Sequence, residues 1–552
     1  MTRPKALSAA PPEAIIAVAF ALAAVAVGLS GRLPDDEGYL TYLGARLVAR
    51  EPLAGVFFQK IHPSASAFYA PFAALGWRAF LVAHALTAGA AVYLLGVAAR
   101  RWSTGPAWLP PLVLVCSPLY LVSAATGQSN SFAVFLFVAV LTLLDGPPAA
   151  RALAGALAAA GLWSRYEQAP YFFALVGFDV FYRRRAHAAL GFASVVALYL
   201  LAGALYHGSA LWLVSRPPVL LRETAPTTMT ELALGREGVA SLLVGLSLVT
   251  PLWGSAAMLR RGASTPMLRC LALTLGLALC AQLALPRLGR LFNFDYTARY
   301  FLCHLPAVAL LAGAYAGDPS PSRPRAVALA LAAAALSVEL WGTPFATVAG
   351  PLAVSTFALA LLPRRGWTLA GIALALALAA PVMGWRHTSA RPTPGLDAAL
   401  DAVLRAPRGT AVYTNAHNLQ ALIDARGASV RARFLAGYDI VIELGEELGG
   451  RRSAQSDAVF RALRPMLYGR ALWPCDFPHR PPVGSLLVLT RDPRVREVYA
   501  LDPWIAASER VLSAASVEVW RLRSPVTVPR REPPAYMSRS TFELPCVDGT
   551  PP

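Results

Sequence analysis

Three carboxylates, Asp35, Asp36 and Glu37, stand in the run Leu33-Pro34-Asp35-Asp36-Glu37-Gly38-Tyr39, directly after the first long apolar stretch of the chain. Ionised side chains at the edge of a bilayer are costly to keep, which marks such a cluster as a candidate functional site. Carboxylates placed there can take a proton from a reacting hydroxyl. The competing reading is that they solvate a loop and favour the start of the next helix. Adjacent carboxylates repel, so their titrations are coupled, and the sequence does not say which is the more basic. A second candidate is Lys60. The chain holds 49 Lys plus Arg, yet Lys5 and Lys60 are its only lysines, a strong bias toward arginine. A compact ammonium can approach a phosphate where a planar guanidinium does not fit; otherwise Lys60 is an interfacial lysine that snorkels.

The elements that must position these residues are membrane helices. With 552 residues, 56% hydrophobic and only 14% charged, and a mean hydropathy of +0.50, the composition is that of a polytopic α-helical membrane protein. Apolar stretches suited to crossing about 30 Å of hydrocarbon occur near 12–30, 66–98 (a re-entry and one span), 106–122, 129–145, 149–164, 168–182, 186–206, 239–259, 266–286, 300–316, 325–342, 346–362 and 367–385. That predicts about thirteen transmembrane helices. Only Arg3 and Lys5 precede the first, and no small-residue cleavage site follows it, so it reads as a retained anchor.

Arg100-Arg101, Arg151, Arg183-Arg184-Arg185, Arg260-Arg261, the pair Arg323 and Arg325, and Arg364-Arg365 fall in alternate short loops. The positive-inside rule makes those loops and the N-terminus cytoplasmic, in a cytoplasmic (inner) membrane. The acidic loop, the loops 207–238 and 287–299 and everything after Trp385 are then extracytoplasmic. Arginines in the outward loops alternate with acids such as Glu51, Glu167, Glu223 and Asp295, so the net charge of +18 reads as topology and contact with anionic membrane lipids. No nucleic-acid motif accompanies it.

From about 386 the long apolar runs stop. Strand-like segments at 410–415, 485–490 and 517–522 alternate with helical patterns at 396–406, 417–426 and 454–466, which predicts an α/β domain over 386–523 after a membrane domain over 1–385. Residues 524–552 read as an irregular, Pro-rich tail. No Gly-x-Gly-x-x-Gly follows the strand at 410–415, which argues against a dinucleotide site. Cys116, Cys270, Cys280 and Cys303 lie within spans; Cys475 and Cys546 lie outside them, and whether they form a disulfide is left open. No Cys/His spacing resembles a zinc site.

The first outward loop, 31–65, is where a resemblance becomes specific. Asp36-Glu37 after a span, the helical Leu43-Gly44-Ala45-Arg46-Leu47-Val48, then Lys60-x-His62-Pro63 and a re-entry at Tyr69-Ala70-Pro71-Phe72 resemble the opening of the GT-C glycosyltransferases. The branch resembled holds the protein O-mannosyltransferases and the aminoarabinose transferases of lipid A. Arg299-Tyr300-Phe301-Leu302-x-x-Leu305-Pro306 and Gly161-Leu162-Trp163-Ser164-Arg165-Tyr166 are similar to two further segments of that branch. The chain departs at Thr126-Gly127-Gln128-Ser129-Asn130, where many relatives carry an acid and this chain has only amides and hydroxyls. That departure leaves a second acidic site, and metal dependence with it, open; no cofactor is assigned, and a divalent metal remains an option.

The resemblance implies an inverting transfer of a sugar from a polyprenyl-phosphate donor to a lipid, glycan or protein acceptor on the outer face of the membrane. In that chemistry Asp36 is the base and Glu37 orients the acceptor or holds the loop. Lys60, Arg299 and Tyr300 meet the donor phosphate, with Arg165 as a further cation. His62 is a further candidate substrate contact; Arg299 reads equally as an interfacial anchor, Arg165 as the partner of Glu167, and His62, before Pro63, as a structural turn residue. A transporter or flippase of lipid-linked glycans is the alternative, although transporters place ionisable residues at mid-span and here they gather at span ends. A receptor is disfavoured, because thirteen spans exceed what a scaffold for a ligand-binding domain needs.

Overall fold

The structure, a computed structural model, describes residues 11–30, 36–50, 52–57, 62–103, 105–115, 117–207, 265–288, 302–316, 395–414, 432–434, 480–490 and 501–528, with 210, 212, 419, 422, 423, 426 and 430 as single positions. The expected spans at 239–259, 325–342, 346–362 and 367–385, the helical pattern at 454–466, and Cys475 and Cys546 lie outside these residues. The chain forms two compact units, one of Met1–Gly31, Leu40–Tyr199 and Pro226–Thr388, the other of Arg32–Tyr39, Leu200–Ala225 and Ser389–Pro552.

The first unit is a helical membrane bundle. Its helices are α1 (Pro12–Ser30), α2 (Asp36–Arg50, from Leu40 on), α3 (Pro52–Phe57), α4 (Pro63–Ala74), α5 (Trp77–Trp102), α6 (Leu109–Val115), α7 (Pro118–Thr126), α8 (Ser129–Leu143), α9 (Pro148–Leu162), α10 (Ala169–Gly177, continued as a π-helical turn Phe178–Tyr182), α11 (His187–His207, up to Tyr199), α12 (Pro266–Leu288) and α13 (Leu305–Ala316). Three described helices, α1, α5 and His187–Tyr206, are long and apolar enough to cross a membrane unaided. Ser129–Leu143, Pro148–Leu162, Ala169–Tyr182 and Pro266–Ala278 are shorter apolar helices.

Two expected stretches are divided. The run 66–98, read as a re-entry and one span, consists of α4 and α5 separated at Gly76, whose φ of 108° suits glycine. The run 106–122 breaks before Pro118, bending by 67° between Leu109–Val115 and Tyr120–Thr126. Proline cannot donate into a preceding turn, and Ser117 caps the new helix, its Oγ accepting from the Tyr120 N–H at 3.2 Å.

Packing uses small residues, as membrane helices do when backbones approach closely. A Cβ on Gly155 would stand 1.8 Å from the Ala188 carbonyl oxygen, and one on Gly191 1.9 Å from that of Ala152, so α9 and α11 touch backbone to backbone. Ile15, Val18 and Leu22 of α1 and Leu190 and Leu198 of α11 are exposed, as lipid-facing residues should be.

Charge is sorted by end. At one end buried Glu13 pairs with Arg100, Arg101 donates to the Thr142 carbonyl, and Arg183 lies over the Trp102 ring at 4.9 Å while donating to Asp145 at 3.0 Å. Of the basic clusters read in alternate loops, Arg100-Arg101, Arg151 and Arg183 thus share one end of the bundle; Arg260-Arg261, Arg323, Arg325 and Arg364-Arg365 lie outside the described residues. The start of α8 and the end of α9 lie at the other, because α8 runs from Ser129 to the Arg101 contact at Thr142.

The second unit contains a five-stranded mixed sheet in the order β2-β1-β3-β5-β4, built from β1 (Val412–Thr414), β2 (Ala432–Phe434), β3 (Leu486–Thr490), β4 (Ser508–Ala514) and β5 (Val517–Leu522). β1 runs parallel to β2 and β3; β5 is antiparallel to β3 and to β4. Strand alternation splits the core. Leu486 and Val488 pack with Val412, Val517, Val519 and the helix α14 (Leu396–Leu404), whereas Leu487 and Leu489 pack with Tyr413, Leu501 and Trp504 of α15 (Asp502–Ala506).

Candidate functional site

At the end of the bundle away from the basic clusters, a band of polar side chains is buried in an otherwise apolar unit. It comprises Gln128, Asn130 and Ser131 at the start of α8, and Ser164, Arg165, Glu167 and Gln168 in the turn between α9 and α10. Helix geometry creates both halves. α7 ends at Gly127, whose φ of 86° lets the chain reverse into α8. α9 ends through bonds from the Ser164 N–H to Ala160 and from the Arg165 N–H to Gly161, which turn the chain sharply before α10.

Arg165, only 6% exposed, joins the halves. Its Nη2 donates to Asn130 Oδ1 at 2.7 Å, and its Nη1 donates to Glu167 Oε1 at 3.4 Å. A buried guanidinium is tolerable when paired and hydrogen-bonded, as here. The band continues inward: Ser131 Oγ donates to the Gln128 carbonyl at 3.1 Å and meets His84 Nδ1 at 3.4 Å. The His84 ring lies tilted against that of Tyr69, their centroids 4.8 Å apart, within a group of rings that includes Phe80 and Phe132.

Ser164 Oγ, Glu167 Oε2 and Gln168 Oε1 are buried without a hydrogen-bond partner among the described residues. An unmet buried polar group costs about 1–3 kcal/mol, so three together mark a place where water or a hydroxyl-bearing ligand completes the bonding. Chemically the band offers two acceptors, a hydroxyl and a fixed cation.

Of the residues singled out in the sequence, Asp36 and Glu37 are the first two residues of α2, in the second unit; their side chains lie outside the described residues. Lys60, Arg299 and Tyr300 lie outside them too. His62 is the N-cap of α4 with Pro63 at N1, and its carbonyl accepts the Ser66 N–H at 2.9 Å, a structural role at a turn. Arg165 has the local Glu167 partner and also one more distant. Sequence reading passed over Asn130, Ser164 and Gln168 as individual residues; the signal that would find them is polarity beside an apolar span.

The chain downstream of Arg299 is held by a further contact. Tyr171 of α10 and His304, both buried, meet at 2.8 Å between hydroxyl and Nδ1, so the turn before α13 is fixed to the helix that follows Arg165. Among the described residues no group of three His, Cys, Asp or Glu is placed to hold a metal ion.

No family model and no curated protein matches the sequence. Among solved structures, the chain is similar to ArnT from Cupriavidus metallidurans in the apo state, at 18% identity over 92% of this chain and 97% of that one, with a TM-score of 0.53. It is similar also to the same protein bound to undecaprenyl phosphate, at 16% identity over 92% and 97%, with a TM-score of 0.57. At these identities the likeness is one of fold.

Proposed function

Because the chain has the fold of the GT-C membrane glycosyltransferases, we propose that it is an inverting glycosyltransferase using a polyprenyl-phosphate-linked sugar. The observation that carries the reading is the likeness in fold, along nearly the whole chain, to a protein crystallised with undecaprenyl phosphate. The buried polar band supports it, because unmet acceptors beside a fixed guanidinium suit a polyhydroxylated substrate with an anionic leaving group.

The acceptor, a lipid, glycan or protein, receives the sugar on the outer side of the cytoplasmic membrane. Asp36 takes the proton from its hydroxyl as oxygen attacks the anomeric carbon, and the polyprenyl phosphate departs from the opposite face. Glu37 orients the acceptor. Lys60, Arg299 and Tyr300 receive the phosphate and its developing charge, and Arg165 contributes positive potential. In this reading about thirteen spans carry the membrane domain over 1–385, and the α/β domain over 386–523 lies outside the cell membrane.

The test is mass spectrometry of envelope glycans and lipids from cells with and without the protein. One missing sugar with an intact, unmodified acceptor is the expected result. Accumulation of a lipid-linked glycan on the inner face, with transfer unaffected, would instead indicate a flippase.

A further inference from the structure

We propose that Arg184 and Arg185, at the end of the bundle away from the polar band, form a binding site for anionic phospholipid, its phosphate held by the two guanidinium groups and its acyl chains lying against Phe181, Tyr182 and Leu190. The inference concerns a different end of the molecule from the transfer site and stands independently of which sugar is moved.

The local backbone is the first observation. α10 leaves its regular path in the π-helical turn Phe178–Tyr182, closed by the Arg183 N–H on the Phe178 carbonyl at 3.1 Å and the Arg185 N–H on that of Asp179 at 2.9 Å. Arg184 is forced to a φ of 56°. That is a conformation glycine adopts freely and a residue with a Cβ does not. Where the described chain needs a positive φ it uses glycine at 76, 127, 395, 409 and 484; only Arg184 and Ala515 depart from that habit. A strained arginine retained where glycine would fit is a sign that the side chain is used.

The second observation is which cations are already committed. Arg183 donates to the Leu144 carbonyl and to Asp145, both at 3.0 Å, and lies over the Trp102 and Phe178 rings. Arg151 donates to the Gly146 carbonyl at 2.8 Å and meets His187 Nδ1 at 3.5 Å. Asp179 is buried, with the charges of Arg151, Arg183, Arg185 and His187 around it. Four arginines against the carboxylates of Asp145 and Asp179 leave an excess of positive charge, and the exposed members are Arg184 and Arg185. Among the described residues the Arg184 side chain makes no hydrogen bond or ion pair.

The third observation selects a lipid over a soluble anion. Phe181 is 76% exposed, Tyr182 62% and Leu190 63%, so exposed aromatic and aliphatic residues stand within a few positions of the two arginines along the chain. Aromatic rings beside cations suit the headgroup level of a bilayer. Basic clusters next to a span attract anionic lipid, and a guanidinium fork matches phosphate oxygens.

The experiment measures thermal unfolding of the purified full-length protein in nanodiscs of phosphatidylcholine, with and without phosphatidylglycerol. Phosphatidylglycerol should raise the unfolding temperature of the parent protein, less so at high salt, and millimolar inorganic phosphate should not. The double substitution Arg184→Gln with Arg185→Gln should lose most of the shift. Arg184→Gly serves as a second variant that folds without strain: it should unfold later than the parent in phosphatidylcholine alone and yet gain less from phosphatidylglycerol. The proposal is overturned if the parent shows no shift, if inorganic phosphate reproduces it, or if the double variant retains it in full.

Discussion

Arg165 Nη2 donates to Asn130 Oδ1 at 2.7 Å, bonding the turn after α9 to the first turn of α8. With Glu167 on the other amino group at 3.4 Å, the guanidinium ties these two turns by side chains. Removing the cation leaves a buried carboxylate uncompensated, a loss of about 3–5 kcal/mol. Removing the amide deletes one charge-assisted bond, about 1.5–3 kcal/mol. Arg165→Met should therefore lower the unfolding temperature more than Asn130→Ala does. Equal or reversed effects in a thermal scan would refute the order.

That bond shows what the sequence can and cannot reveal. Glu167 was visible as a partner for Arg165 because it lies two residues away; Asn130 lies thirty-five away and is found only through tertiary packing. The spans were legible because an apolar run of fixed length has few other uses, yet the run 106–122 concealed a break that Ser117-Pro118 signals. In the second unit, β3 (Leu-Leu-Val-Leu-Thr) and β5 (Val-Glu-Val-Trp-Arg-Leu) declare themselves by β-branched and apolar residues. β4, Ser-Glu-Arg-Val-Leu-Ser-Ala, is an edge strand exposed along much of its length and carries no such pattern. β2 has only three residues.

The contact of α9 with α11 makes a second expectation. Gly155→Ala and Gly191→Ala each push a methyl group into a carbonyl oxygen of the facing helix, and overpacking of this kind costs about 1–3 kcal/mol. Gly177→Ala is the control, since its Cβ would meet nothing closer than Phe181 Cδ2 at 3.8 Å. Alanine there should be neutral or stabilising by up to about 1 kcal/mol. A detergent thermal scan in which all three behave alike would contradict the close approach.

Topology is tested by cysteine accessibility. Single cysteines introduced near Asp35 and near Gly437 should react with an impermeant reagent on intact cells, and those near Arg184 or Arg364 should react only after permeabilisation. Labelling of Gly437 solely after permeabilisation would put the C-terminal domain inside and remove one span from the count.

Asp36→Asn keeps the size of the side chain and its place at the start of α2 but removes proton acceptance. If Asp36 is the base, transfer falls by at least about a hundredfold, while expression and donor binding persist. Near-normal turnover by this variant would move the role to Glu37.

The last prediction concerns the leaving group. Lys60 and Arg299 are assigned to one phosphate, and a charge-assisted contact of this kind is worth about 1.5–3 kcal/mol. Lys60→Met and Arg299→Met should each weaken use of the polyprenyl-phosphate donor by roughly ten- to a hundredfold. Two groups acting on one leaving group do not act independently, so the double variant should depart from the product of the single effects. Lys60→Arg should stay impaired if the site admits only a compact ammonium. The measurement is a kinetic double-mutant cycle in nanodiscs with a polyprenyl-phosphate sugar. Strictly additive effects of less than about threefold would make both residues interfacial anchors. Arg165, already buried beside the unmet acceptors of Glu167 and Gln168, would then be the cation on which the departing phosphate relies.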